Sequence, residues 1–444
     1  MDSTLSAYGR ASSTPSPVSS MMNAFAADFR PECDINLGVG YVNERTIPVE
    51  LIRNALEKVL NDPARYKTPF NYGGPRGSST LTQSILDFII RSTRGGLTRE
   101  HLRDRKIIVG ASGVTSLLEA MACVLQPGIV VTSDPMYYIY SNFLERMGFE
   151  VIAIAEDASG LRTDLLQERL EQLDERCRDI SFFYIVSVNN PTATILSNTR
   201  RREIVETAAK LSRSQQRKIP VLFDTAYDDI IHDPACEKPI SALLFDELGI
   251  VYEVGSLSKI LSPALRIGYL IGSPGPLLSA LVQKTADTGF SAPLFSQEIA
   301  SYLLDHHIEE QIAKVNHGYH EKAVAVKGWI ERELGPWIES CTGGSAAFYF
   351  YLTFKDIFTD EGSLFFKFLT RTTGTPQIDG PGSNKHARVL YVPGCHCVHP
   401  RGALQEAGRR QLRISYGFEE PERIEQALKL MHEAAVFCTQ NTGA

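Results

Sequence analysis

Short apolar runs alternate with helical segments through the middle of the chain, and this alternation constrains the fold more than any other feature of the sequence. The strand-like runs are Lys106–Val109, Ile129–Thr132, Glu150–Ile154, Ser181–Val186, Pro220–Phe223 and Tyr252–Val254. Segments with helical spacing separate them, as at Leu161–Leu173 and Asn198–Leu211. Strands that alternate with helices are typical of a mostly parallel sheet covered by helices on both faces, so we expect an α/β fold.

The two ends of the chain have a different character. Residues 1–34 are rich in serine, alanine and proline and then become amphipathic over Met21–Phe29, which indicates an N-terminal arm. A long helical pattern covers Gln297–Glu333, and the last third combines short strands such as Phe348–Leu352 with a closing helix at Pro421–Phe437. We expect a large α/β domain over residues 65–320 and a smaller α+β domain formed by residues 35–64 and 321–444.

Composition and charge narrow the range of partners. The 45 basic and 52 acidic residues give a net charge of −7 without a basic block, so nothing favours nucleic acid or an anionic membrane surface. The sequence also lacks an apolar run of about 18 residues, the length that a membrane helix needs. The eight cysteines have no framework spacing, which favours free thiols in a reducing compartment. We therefore expect a soluble, cytoplasmic protein that binds small molecules.

One stretch, Cys395-His396-Cys397-Val398-His399, suggests a metal site. Ligands spaced this closely seldom complete a tetrahedron alone. We therefore expect no metal.

One lysine, Lys259, follows the last of the strands within a segment of small and hydroxyl residues, Val254–Tyr269. The position just past the carboxyl end of a buried strand is where open α/β sheets bind ligands. Burial or neighbouring cations turn a lysine amine into a nucleophile, and one principal use of such an amine is an imine with the aldehyde of pyridoxal 5'-phosphate. Ser256, Ser258 and Arg266 are then placed to bind the phosphate. The alternative is an ordinary solvated turn.

Polar residues also follow two other strands. Asp224 comes directly after Val221–Phe223, and a carboxylate at a buried strand end needs a cation such as a protonated pyridine nitrogen. The alternative for Asp224 is a helix cap. Asn190 and Tyr227 both carry groups that donate hydrogen bonds to a phenolate oxygen on the same ring, and for each the alternative is a plain turn residue.

Several loops carry weaker signals. Gly110–Ser116 joins a strand to a helix start, where backbone N–H groups bind phosphate, although small residues there also serve helix packing. Tyr137 lies at a strand's carboxyl edge, where its ring either stacks on a flat ligand or packs in the core. Gly38 and Gly40 allow backbone to approach a ligand or form a plain strand exit. Tyr72 lies in a glycine-rich loop, where an exposed tyrosine usually packs locally.

Together these motifs resemble the fold-type I pyridoxal-phosphate enzymes, specifically the class I/II aminotransferases, over about residues 35–437. The motifs that carry the resemblance keep the family's order and spacing: Asn190-Pro191-Thr192, Asp224-x-x-Tyr227, Ser256-x-Ser258-Lys259 with Arg266, and Leu412-Arg413-Ile414-Ser415. The resemblance implies a seven-stranded, mostly parallel sheet and a homodimer with shared active sites. It also implies pyridoxal 5'-phosphate as cofactor and transfer of an amino group between an α-amino acid and a 2-oxo acid.

The resemblance further assigns roles around the cofactor ring. Lys259 would form the Schiff base and afterwards carry the proton. Asp224 would pair with the pyridinium nitrogen, and Asn190 and Tyr227 would bind the ring hydroxyl. Tyr137 would stack on the ring.

The phosphate and the substrate also receive residues through the resemblance. The residues implied for the phosphate are Ser112, Gly113, Val114, Ser256, Ser258 and Arg266. Tyr72 would reach the phosphate bound to the neighbouring subunit. Arg413, with Asn190 and the backbone near Gly40, would bind the substrate carboxylate.

The chain departs from the family pattern in a few places. Ala193 stands where glycine usually follows Asn-Pro-Thr, so the turn either avoids a strongly positive φ or accepts strain. Ser345-Ala346-Ala347, after a pair of glycines, is also slightly off pattern. The N-terminal arm, with Tyr8 and Arg10, is similar to the segment that folds over the active site in aminoadipate/kynurenine-type aminotransferases.

Two other functions compete with transamination. A pyridoxal-phosphate lyase or cyclase would use the same lysine, aspartate and arginine, because these reactions begin with the same carbanion. A regulator built on this fold would carry a DNA-binding module before it, and the roughly 34 residues ahead of Ile35 are not basic. The motifs therefore favour an enzyme, with the side chain of its substrate undetermined.

Overall fold

The computed structural model describes residues 4–66, 69–382 and 384–441. Its strands are β1 (Ile35–Asn36), β2 (Lys106–Val109), β3 (Ile129–Asp134), β4 (Glu150–Asp157), β5 (Gly160–Leu161), β6 (Ile180–Val186), β7 (Val221–Asp224), β8 (Val251–Ser256), β9 (Gly268–Gly272), β10 (Ile338–Gly343), β11 (Tyr349–Phe354), β12 (Val389–Leu390), β13 (Val392–Pro393) and β14 (Gln411–Ser415). Its α-helices are α1 (Ala7–Ala11), α2 (Pro17–Ala26), α3 (Val49–Asn61), α4 (Pro63–Tyr66), α5 (Ser79–Arg91), α6 (Arg99–Leu102), α7 (Gly113–Val124), α8 (Tyr138–Arg146), α9 (Thr163–Leu173), α10 (Asn198–Ser214), α11 (Pro276–Asp287), α12 (Leu294–His306), α13 (Ile308–Leu334), α14 (Leu364–Thr370), α15 (Pro376–Asp379), α16 (Gln405–Gly408) and α17 (Pro421–Asn441).

The large sheet has the strand order β2-β9-β8-β7-β6-β3-β4-β5. The central strands β8, β7, β6, β3 and β4 run parallel to one another. β9 lies antiparallel between β2 and β8, and the two-residue strand β5 pairs antiparallel with the end of β4. The predicted mostly parallel sheet is confirmed, with β5 as a short addition to the seven strands expected. Sequence reasoning missed β9, which has glycine at both ends and therefore a weak strand signal.

The central strands are buried on both faces. In β6 every residue is buried, and alternate side chains enter two different apolar cores: Phe183 and Ile185 one core, Phe182 and Tyr184 the other. Parallel pairing aligns the carboxyl ends of β6, β7 and β8, where Val186 is in register with Asp224. The polar residues that follow these strands therefore meet at one edge of the sheet.

A second region is built around the antiparallel sheet β10-β11-β14-β13 and the parallel pair β1-β12. Its core includes apolar residues of α13 and α17, and Val18, Met21 and Phe25 of α2 are buried in the same core. This arrangement is α+β, as expected from the last third of the sequence. The domain boundaries proposed above remain a prediction.

Two helical segments differ from the sequence-based expectation. The continuous helix expected over Gln297–Glu333 is divided into α12 and α13 at His307, whose φ of −136° is not helical. The helix of the arm begins earlier than Met21, because Ser16 caps it and Pro17 occupies its first turn. Within the described ranges, every helix is too short or too polar to cross a membrane.

Candidate active site

Lys259 lies in the turn that follows β8, at the carboxyl edge of the large sheet. Its partly buried Nζ donates a hydrogen bond to the carbonyl oxygen of Gly40 at 3.2 Å. Burial, together with the charges of Arg266 and Arg413, lowers the pKa of Lys259 to about 8. With this pKa, about a tenth of the amine is neutral at pH 7, and the neutral form is the nucleophile.

Lys259 lines a cavity of about 160 Å³ at the carboxyl ends of β6, β7 and β8. The predicted residues that line this cavity are Val114, Tyr137, Asn190, Asp224, Tyr227, Ser256, Ser258, Lys259 and Arg266. Sequence reasoning did not identify the small and apolar residues Thr115, Leu118, Val186, Ala226 and Pro263, which also line it. Such residues give no signal that distinguishes a binding site from ordinary packing.

One wall of the cavity is suited to an anion. Arg266 Nε donates to Ser112 Oγ at 3.2 Å, and its Nη2 donates to the Ser112 carbonyl at 3.1 Å. Gly113 begins α7 with φ +64°, and a Cβ there would lie 2.8 Å from Arg266 Nη2. A Cβ at Gly268 would lie 2.3 Å from the backbone nitrogen of Val114. Glycine is therefore required at both positions for the guanidinium and the start of α7 to approach each other.

The cavity lining also carries a buried carboxylate, that of Asp224. Burial raises the pKa of Asp224 to about 6, although Ala226 N–H and Tyr184 Oη–H donate to its two oxygens at 3.1 and 3.0 Å. Lys259 is the nearby cation that lowers this pKa. Asp224 thus remains a largely charged acceptor at neutral pH and can bind a second cationic group in the cavity.

Arg413 lies on β14 and reaches the edge of the cavity from the second sheet. Its Nη1 donates to Asn190 Oδ1 at 2.8 Å and its Nη2 donates to the Gly38 carbonyl at 2.5 Å. The side chain is 2% exposed, its Nε has no hydrogen-bond partner, and among the described residues no carboxylate forms an ion pair with it. Glu420, seven residues after Arg413, accepts from Asn43 Nδ2 at 3.1 Å and lies 3.3 Å from Arg45 Nη1 instead.

Tyr349 on β11 is a site residue that sequence reasoning missed. Its hydroxyl is 2.8 Å from that of Tyr227, and a Cβ on Gly40 would lie 2.8 Å from the Tyr349 oxygen. The Arg413 guanidinium lies over its ring, 4.5 Å from the centroid. The run Phe348-Tyr349-Phe350-Tyr351 predicts a strand, but only the docking of the second sheet brings the Tyr349 hydroxyl to Tyr227 and the Phe348 ring to 5.5 Å from Lys259 Nζ.

Tyr72 is the predicted site residue that lies away from this cavity. Its side chain is 82% exposed, and its ring centroid is 5.8 Å from that of Phe290. Phe70 and Phe295 lie with them around the same surface depression and are also exposed. Tyr72 therefore does not contact the Lys259 cavity of its own chain.

The turn after Asn190 contains backbone strain. Ala193 has φ +55°, so the departure from glycine is accommodated by a left-handed alanine. Behind the turn, the partly buried carboxylate of Glu156 accepts hydrogen bonds from Asn189 Nδ2 at 2.8 Å and from Thr192 Oγ1 at 2.5 Å. Burial raises the pKa of Glu156 to about 7. These contacts hold the strained turn that presents Asn190.

A larger cavity, of about 460 Å³, lies behind the same strand ends. Its charged groups include Arg94 and Asp229, which form an ion pair with an N–O distance of 3.1 Å, and Glu253, which accepts from Ser241 Oγ at 2.9 Å. Lys259 does not line this cavity. The smaller cavity is therefore the candidate active site.

Comparisons with known proteins agree with this geometry. The family model described as aminotransferase class I and II matches residues 34–428. The uncharacterized HTH-type transcriptional regulator YisV of Bacillus subtilis is 25% identical over 416 residues, which cover 91% of this chain and 74% of that protein. Aromatic-amino-acid aminotransferase 1 of Thermococcus litoralis is 26% identical over 302 residues, which cover 67% of this chain and 68% of that protein.

A solved structure has the same fold. The multiple substrate aminotransferase of Thermococcus profundus superposes with a TM-score of 0.82 over 98% of both chains, at 21% identity. At this identity the likeness concerns the fold alone.

Proposed function

Because this chain belongs to the aminotransferase class I and II family and uses pyridoxal 5'-phosphate, we propose that it moves an amino group between an α-amino acid and a 2-oxo acid at Lys259. The observation that carries the proposal is the position of this amine between three unlike groups. Asp224 lies on one side, Arg266 on another, and Arg413 reaches in from the second sheet. Asp224 matches the protonated ring nitrogen of the cofactor, Arg266 matches its phosphate, and Arg413 matches the α-carboxylate of the substrate.

The chemistry of the donors fits the cofactor. Arg266, Ser256, Ser258 and the start of α7 at Gly113 offer N–H and O–H donors and positive charge to a phosphate. Asp224 offers a buried carboxylate to the protonated ring nitrogen. When bound, the pyridoxal ring acts as an electron sink for the bonding electrons of the substrate α-carbon.

The protein's own groups bind, orient and move protons. Lys259 Nζ, with its lowered pKa, holds the cofactor aldehyde and afterwards accepts and returns the proton at the substrate α-carbon. Arg413 binds the α-carboxylate through parallel N–H donors and so orients the substrate. The Tyr227 ring lies 5.6 Å from Lys259 Nζ, and its hydroxyl is paired with that of Tyr349.

The proposal includes a homodimer with shared active sites and a cytoplasmic location. The exposed aromatic group around Tyr72 supports a surface that a second subunit covers. Free thiols at Cys123, Cys341 and Cys395 support a reducing compartment. The division into residues 65–320 and a second domain formed by 35–64 and 321–444 belongs to the same proposal.

The decisive experiment supplies the purified protein with cofactor, one amino acid at a time and a 2-oxo acid. Transamination predicts one new 2-oxo acid for each new amino acid, without ammonia. Release of ammonia, or a cyclic product, would instead assign a lyase or cyclase. The Lys259→Ala variant serves as the blank in both cases.

A further inference from the structure

The motif Cys395-His396-Cys397-Val398-His399 is divided by the fold. Cys397 is buried, and its backbone carbonyl accepts a hydrogen bond from Met136 N–H at 2.7 Å. His399 Nδ1 accepts from the backbone N–H of Arg401 at 3.2 Å. The two other polar residues of the motif, Cys395 and His396, lie in a short 3₁₀ turn after β13.

A third donor comes from a distant part of the sequence. Glu361, in the loop between β11 and α14, brings a carboxylate to the turn, and His396 Nε2 lies 2.6 Å from Glu361 Oε1. One ligand atom from each of Glu361, Cys395 and His396 lies within 4.8 Å of the other two. All three side chains are partly buried and accessible to solvent.

Both segments that carry these donors are held by β14. Thr359, two residues before Glu361, donates its hydroxyl to the Gln411 carbonyl at 2.5 Å and receives a hydrogen bond from Tyr391 Oη at 2.7 Å on its own carbonyl. On the other side, a Cβ on Gly394 would lie 2.4 Å from Gln411 Cβ, so the turn packs directly on the same strand. The donor atoms therefore converge from fixed backbone rather than from mobile loops.

We propose that Glu361, Cys395 and His396 form a binding site for a divalent zinc-type cation, with solvent as the fourth ligand. Sulfur, imidazole nitrogen and carboxylate oxygen are the three donor types that Zn²⁺ prefers. Ligand atoms of a tetrahedral zinc lie about 3.3–3.8 Å apart, given bonds of about 2.0–2.3 Å. The observed atoms, all within 4.8 Å of one another, bracket this spacing, and the 2.6 Å contact between His396 Nε2 and Glu361 Oε1 must lengthen when the cation binds.

Binding also displaces protons. Burial, with the nearby carboxylates of Glu361 and Asp360, raises the pKa of the Cys395 thiol to about 12. The thiol is therefore protonated without the cation and loses its proton when the sulfur becomes a ligand. The carboxylates that disfavour a bare thiolate become favourable once a cation is present.

The site is expected to stabilise rather than to catalyse. It would join the Glu361 loop to the turn that contains Cys395 and His396. The next residue, Cys397, accepts a hydrogen bond from Met136 N–H, which follows β3 of the large sheet. No atom of the Lys259 cavity belongs to it. We therefore expect zinc to raise the melting temperature of the holoenzyme and to leave the chemical step unchanged.

The test equilibrates the holoenzyme with zinc chloride, removes unbound metal on a desalting column and measures zinc per chain. We expect one zinc in the wild type, and at least a tenfold weaker affinity in Cys395→Ser and His396→Asn, since even the loss of a supporting residue costs metal sites about 10–100-fold. Cys341→Ser and His432→Asn are matched controls that should retain zinc, because these residues lie outside the site. X-ray absorption at the zinc edge should show one sulfur at about 2.3 Å.

Three results would overturn the proposal: no zinc retained by the wild type, zinc retained equally by Cys395→Ser, or a zinc environment without sulfur. Melting temperatures of the zinc-free variants verify that each is folded. Glu361→Gln provides an independent variant, because it leaves the thiol and the imidazole in place and should still weaken zinc binding.

Discussion

Arg413 and Asn190, 223 residues apart in the sequence, are joined by a hydrogen bond of 2.8 Å between Nη1 and Oδ1. Asn190 follows β6 of the large sheet, whereas Arg413 lies on β14 of the second sheet. The candidate substrate-binding group is thus held directly by a residue that lines the Lys259 cavity.

The first prediction follows from this contact. Arg413→Lys keeps a charge but loses the planar fork, so we expect amino-acid binding to weaken roughly ten- to a thousandfold, from about 1.5–3 kcal/mol per charge-assisted hydrogen bond. The half-saturation constant and the melting temperature of the variant should be measured together. An unchanged half-saturation constant with a lowered melting temperature would show that Arg413 is structural only.

The second prediction concerns which lysine reacts. We expect Lys259→Ala to abolish turnover and leave the fold intact, and borohydride reduction of the wild type to place the pyridoxyl group on Lys259. Lys322 is an internal control, because burial also lowers its pKa to about 8, yet its Nζ donates to the Gly417 carbonyl, outside the cavity. Labelling of Lys322 instead of Lys259 would contradict the assignment.

The third prediction uses pH. The pKa of Lys259 is lowered to about 8, so its neutral fraction rises about tenfold per pH unit below that value and levels off above it. The rate at which cofactor-free protein captures pyridoxal 5'-phosphate should follow the same curve between pH 6 and 9. A free lysine side chain, with a pKa of about 10.4, serves as the reference that continues to rise. If the rate of cofactor capture by the protein still increased steeply above pH 9, that result would contradict the lowered pKa of Lys259.

The fourth prediction concerns assembly. Sedimentation at micromolar concentration should show a dimer, and Tyr72→Phe should preserve that dimer while weakening affinity for the cofactor phosphate, because only the hydroxyl is removed. Tyr41→Phe is a suitable control, since Tyr41 is also exposed, at 63%, but lies outside the surface depression around Tyr72. A fully active monomer would refute the shared site.

The fifth prediction concerns the strained turn. Ala193→Gly should change the free energy of unfolding by less than about 1 kcal/mol, because relief of about 1–2 kcal/mol of left-handed strain offsets the added chain entropy and the lost methyl burial. Ala208→Gly, at a buried position inside α10, has no strain to relieve and should destabilise by roughly 2 kcal/mol. Urea unfolding of both variants gives the comparison, and equal losses would argue against strain at Ala193.

Local sequence could place the residues that follow the central strands. Asp224 directly follows one buried apolar run and Lys259 lies five residues after the end of another, and parallel pairing requires the ends of those runs to lie together. The family resemblance then supplied their roles. The sheet and most of its strands could be predicted for the same reason, because period and turn residues are local properties.

Contacts between the two sheets could not be predicted in this way. The hydroxyl of Tyr349 meets that of Tyr227, and Gly38 accepts from Arg413, only because of how the second sheet docks on the first. Glu361 and His396 are likewise in contact although they are 35 residues apart in the sequence. The spacing of residues along the chain does not predict a contact at that separation. The value of φ at Ala193 was also undetermined, since the sequence allowed both a relaxed and a strained turn.

Strand β1 pairs with β12, so Ile35 finds its partner only at Val389. The buried ion pair of Asp34 with Arg388, at 2.7 Å, has the same long separation. During synthesis on the ribosome, every strand of the large sheet has been made by Gly272, whereas the partner of β1 comes more than a hundred residues later. We therefore expect the large sheet to fold while translation continues, whereas β1 stays unpaired until Val389 and Leu390 have been synthesised.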